Sequence, residues 1–84
     1  MKRTLLVHVK GVGYIDGVPF KFDGHTLVDI DRYPYRDDHY LFERIKTEAE
    51  RNILMEKSFA SLSDVVICSI TDITDIREKL ARYH

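Results

Sequence analysis

From Thr4 to Lys10 apolar and polar positions alternate, with Leu5, Val7 and Val9 on one side and Leu6, His8 and Lys10 on the other. A two-residue period of this kind predicts a half-buried strand. Gly11-Val12-Gly13 interrupts it, and two glycines one residue apart predict a bulge or bend before the strand resumes through Tyr14-Ile15. Asp16-Gly17 then supplies the residue types that tolerate the positive φ of a tight hairpin turn. In Val18–Phe22, Phe20 and Phe22 share a face, Lys21 and Asp23 take the other, and Pro19, lacking a backbone donor, belongs on an edge. Asp23-Gly24 repeats the turn chemistry, which predicts a third strand over His25–Ile30 and so a meander.

The period then changes. Leu41, Phe42, Ile45, Ala49 and Ile53 recur every three or four residues, and Asp37 or Asp38 can cap the free amides of a first turn. An amphipathic helix over Asp38–Lys57 follows, with Arg44–Glu48 and Lys46–Glu50 spaced to pair on its outer side. Ser58–Asp64 reads as a connection anchored by Phe59 and Leu62. Val65-Val66-Ile67-Cys68-Ser69-Ile70 is almost continuously apolar, the pattern of a strand buried on both faces. A last helix is predicted from Thr74 or Asp75, with Ile76, Leu80 and Tyr83 as one stripe and Asp75 and Glu78 spaced as a capping box.

The predicted fold is α+β in the order β-β-β-α-β-α: a three-stranded antiparallel meander, a long amphipathic helix, a fourth strand and a short C-terminal helix, all in one domain over residues 1–84. The long helix can act as a crossover that brings the fourth strand in parallel to a neighbour. One helix covers one face of a sheet, so the two-sided apolarity of Val65–Ile70 calls for the C-terminal helix or a second chain on the other face.

Composition narrows the function more than the fold. With 44% hydrophobic residues the chain is too apolar to stay disordered. Thirteen basic residues against fourteen acidic ones leave a charge of −1 and no basic arm, which lowers the rank of a nucleic-acid partner. The single cysteine, Cys68, sits in strand-like sequence and reads as a buried, inert thiol. The apolar run after Met1-Lys2-Arg3 is too short for a signal peptide and none approaches the ~18 residues of a membrane span, so the expected location is cytoplasmic.

Candidate chemistry concentrates in Asp31-Arg32-Tyr33-Pro34-Tyr35-Arg36-Asp37-Asp38-His39-Tyr40. Tyr33-Pro34-Tyr35 can be a structural join, because proline fixes φ and disfavours helix before it. Arg32, Tyr33, Tyr35, Arg36 and Tyr40 also have the aromatic and guanidinium composition of interface hot spots, and they form the expected partner-binding surface. Stacking of single-stranded nucleic acid on the same tyrosines is one alternative. A small metal-dependent enzyme built on Asp29, Asp31, Asp37, Asp38 and His39 is another, since Asp29 and Asp31 share a strand face.

The remaining motifs carry less. Gly11-Val12-Gly13 precedes no helical pattern, so it is no dinucleotide fingerprint. Ile70-Thr71-Asp72-Ile73-Thr74-Asp75-Ile76 lacks the glycine and acidic spacing of a calcium loop. His8, His25 and His84 show no ligand spacing with each other or with Cys68. The expectation is a small non-catalytic binding or regulatory protein without a cofactor, acting on another protein, of the kind phages and mobile elements carry as accessory factors. Self-association through the face of the Val65–Ile70 strand is its companion.

Overall fold

The computed structural model describes residues 2–31 and 38–82. Its elements run β1 (Lys2–Ile15), β2 (Val18–Asp31), α1 (Asp38–Lys57), β3 (Ser61–Asp72) and α2 (Thr74–Arg82). They form an α+β fold with one three-stranded antiparallel sheet in the order β2-β1-β3.

The N-terminal third is one long hairpin rather than a three-stranded meander. Asp16 and Gly17 both take positive φ, 51° and 78°, the signature of a type I′ turn, and β1 and β2 pair without a break so that partner numbers always add to 33. The second turn expected at Asp23-Gly24 does not form. Asp23 instead stays in β2 and bonds His8, and Gly24 pairs with Val9 beneath the Lys57 side chain. The glycines of β1 have a different use: a Cβ on Gly11 would press on the Phe22 ring at 2.9 Å, and one on Gly13 would enter the Phe59 ring. Missing side chains on β1 thus seat two aromatic rings, which lie 5.8 Å apart by centroid.

Helix α1 covers one face of the sheet. Ile45 and Ala49 pack with Leu5, Val7, Val28 and Ile30, while Ile53 packs with Val9 and Phe22. Each buried aliphatic side chain of this set contributes roughly 1.5–3 kcal/mol of transfer free energy. The helix ends at Ser58, whose φ of 56° turns the chain so that the Phe59 amide donates to the Leu54 carbonyl at 3.1 Å, closing the last turn.

Strand β3 departs from expectation in direction, neighbour and burial. It runs parallel to β2, as a helical crossover demands, but its neighbour is β1, to which it is antiparallel. It lies at the edge of the sheet. Ile67 and Val65 turn toward the core, Val66 is 58% exposed, and Cys68 is exposed rather than buried. Register shifts explain the cysteine: His8 pairs with Ser69 and Val9 with Ile67, so Cys68 is the extra residue of a bulge.

Candidate functional site

The face of the sheet opposite α1 is open along most of its length. Leu6, His8, Lys10 and Val12 of β1 alternate with core residues, and the register sets Leu27 and His25 of β2 beside Leu6 and His8. Leu27 is 52% exposed there. The His8 and His25 rings stack at 4.5 Å, His8 Nε2 lies 2.5 Å from Asp23 Oδ1, and Lys10 Nζ reaches the other oxygen of that carboxylate at 3.8 Å. The hydrogen bond to His8 holds the Asp23 carboxyl below its usual range.

Helix α2 is fastened to one end of this face by polar bonds. Asp72 Oδ1 accepts from the Thr74 amide at 3.0 Å and from its hydroxyl at 2.6 Å, so Asp72 does the capping expected of Thr74 or Asp75. Those two bonds, with Arg3 at 2.5 Å on the other oxygen, lower the Asp72 pKa to about 2. Thr74 Oγ1 also accepts from the Thr4 amide, and Arg77 donates to Thr4 Oγ1 at 2.7 Å and Asp29 Oδ1 at 2.9 Å. The apolar stripe expected to pack does not: Ile76 and Leu80 are both 58% exposed. The polar bonds to the sheet come from the first turn of α2, which β3 delivers to the corner beside Thr4.

On the α1 side a groove of about 420 Å³ opens between the helix and the end of β3, lined by Leu5, Leu41, Phe42, Ile45 and Ile70 with the Arg3–Asp72 pair at its rim. It is apolar and shallow, a place to seat side chains rather than to run a reaction.

Arg32, Tyr33, Tyr35 and Arg36 lie outside the described residues, as does Asp37. Tyr40 stands on the solvent side of the first turn of α1, beside a hollow of about 200 Å³ with Glu43, Arg44 and Thr47. Of the acidic set, Asp29 is engaged by Thr4 and Arg77, and Asp31 stands opposite Lys2. Among the described residues no three His, Cys, Asp or Glu side chains gather as metal ligands. His25, read as lying beside a turn, is a mid-strand partner of His8. The hairpin arithmetic carries that pairing in the sequence once the Asp16-Gly17 turn is taken as the last one before Asp31.

No helix among the described residues is long and apolar enough to cross a membrane. Compared with known proteins, the chain matches no family model, no curated protein and no solved structure, so its function must be argued from the surface just described.

Proposed function

We propose that the protein is a small non-catalytic binding module that docks another protein onto the open face of its sheet. One observation carries the reading. Leu6 and Leu27 are paired on a flat pleated surface beside the stacked His8–His25 pair, and the exposed Ile76 and Leu80 belong to α2, which Arg77 fastens to the same face at Thr4 and Asp29. Contiguous apolar surface with a polar rim marks protein docking sites. Lys10, Asp23 and Asp29 supply such a rim. Arg32, Tyr33, Tyr35, Arg36 and Tyr40 are proposed as a second contact surface on their composition alone, with Tyr40 on α1 at the other side of the sheet. The exposed Cys68 thiol suits a reducing compartment such as the cytoplasm.

Leu27→Lys combined with Leu80→Glu tests this. Both side chains are exposed, so the melting temperature is expected to stay within a few degrees while capture of the partner from a lysate of the host cell is lost. Undiminished capture by the double variant would remove the open face as the docking surface. Salt-sensitive retention of oligonucleotides by the native chain, without protein capture, would replace the partner class.

A further inference from the structure

We propose that β3 pairs with the β3 of a second copy of this chain, giving a two-fold dimer with one continuous six-stranded sheet. This inference concerns the sheet edge and leaves the open face free, so it stands apart from the docking reading above.

The first argument is area. The chain exposes 6324 Å², whereas a folded monomer of its 9.9 kDa exposes ~5,200 Å² by the usual size scaling. The surplus, ~1,100 Å², is shared between the open face and this edge, and it leaves room for the ~800 Å² that each partner buries in a standard interface.

The second is the edge itself. Strand β3 is 12 residues long and pairs only with β1, so its other side offers free amides and carbonyls. Its sequence Ser61-Leu62-Ser63-Asp64-Val65-Val66-Ile67-Cys68-Ser69-Ile70-Thr71-Asp72 contains no lysine, arginine, proline or glycine, and among the described residues no side chain bonds to its backbone. Of the devices that keep natural edges from pairing, it has its bulges, Asp64 at a φ of 53° and Asp72, but no lysine or proline. An antiparallel pairing centred on Ile67 sets Val66 against Cys68 and brings no aspartate opposite another.

Charge complementarity supplies the third argument. Phe42, Lys46 and Glu50 are four residues apart and so form one row along α1, and Phe42 lines the groove with Ile70, which puts this row on the β3 side. Among the described residues Lys46 and Glu50 make no ion pair, whereas Glu48 on another flank holds both Arg44 and Arg51. A two-fold axis through β3 sets the two α1 helices antiparallel on one face of the joint sheet, one on each side of the seam. Lys46 of each copy then faces Glu50 of the other, and both grooves close into a shared apolar seam.

The test uses the full chain, measured by light scattering from low micromolar to near-millimolar concentration. The native protein is expected to reach twice 9.9 kDa. Cys68→Lys and Cys68→Glu are each expected to be monomeric, with the melting temperature of the native chain only at concentrations low enough for that chain to be monomeric too, and an equal mixture of the two to recover the dimer. Lys46→Glu is expected to weaken association by roughly ten-fold or more, since two symmetry-related charge pairs turn repulsive, and Lys46→Glu with Glu50→Lys to restore it. A native chain that remains monomeric at every concentration overturns the proposal, as does a Cys68→Lys variant that dimerises like the native chain. Loss of open-face docking by Leu27→Lys with Leu80→Glu leaves these outcomes unchanged, so the two proposals fail separately.

Discussion

The two edges of this sheet are treated differently. β2 carries Pro19, Lys21 and Asp23, and Asn52 of α1 reaches over to donate to the Leu27 carbonyl at 2.8 Å. Thr26 on the same strand donates to Glu56 at 3.3 Å. β3 has no comparable cover among the described residues, and the strand's most apolar stretch coincides with its free side. An edge strand left open beside one that is guarded points to a partner for the open one. The helix creates the asymmetry: by leaning on β2 it shields that edge and leaves the groove under Phe42 and Ile70.

The largest effect comes from breaking the layer that both edges share. Ile53→Ala is expected to cost about 2–5 kcal/mol, because Ile53 is 1% exposed and joins Val9 to Phe22; chemical denaturation measures it. Gly13→Ala comes next. The new methyl must displace the Phe59 ring, an overpacking cost of about 1–3 kcal/mol read in the same experiment. A midpoint unchanged in Gly13→Ala would mean that Phe59 does not lie on this strand.

Uncapping the guarded edge sharpens the comparison. Asn52→Ala removes one hydrogen bond from β2 and is expected to cost about 1 kcal/mol, while raising concentration-dependent association through an edge that is silent in the native chain. If the variant associates no more than the native protein, Pro19 and Lys21 suffice as guards.

The smallest effect is acid-dependent and local. Asp72 has its pKa lowered in the fold to about 2, so its bonds to Thr74 and Arg3 favour the native state fully above the ordinary carboxylate value. That contribution fades as pH falls below 4 and is gone below about 2. The start of α2 and the Thr4 end of β1 are expected to loosen over this window, seen as faster amide exchange there, and Asp72→Asn to abolish the pH dependence at those amides.

What the sequence made legible depended on range. The strand at Thr4–Lys10, the Asp16-Gly17 turn and the helix over Asp38–Lys57 rest on local periodicity and local turn chemistry, and all three stand as expected. Asp23-Gly24 carries the same chemistry as Asp16-Gly17 but no turn. What separates them is the cross-strand bond from Asp23 to His8, a contact fifteen residues away that no local window contains. The apolar run Val65–Ile70 reads as doubly buried because composition reports apolarity, and the covering element has to be found elsewhere. Here α1 covers one side, and the exposure of Val66 and Cys68 shows that α2 does not cover the other. The open face was not visible in the sequence, because it required the β1–β2 register to bring Leu6 to Leu27 and His8 to His25; of the five residues expected to make the contact, Tyr40 alone lies among the described residues.

The central claim, that β3 is an open edge awaiting a second copy, is tested most directly by amide hydrogen exchange compared between β2 and β3 at low and high protein concentration. The outward amides of Val65–Ile70 are expected to slow markedly as concentration rises, while the outward amides of β2 keep the same rate. Equal, concentration-independent exchange at the two edges would contradict the account.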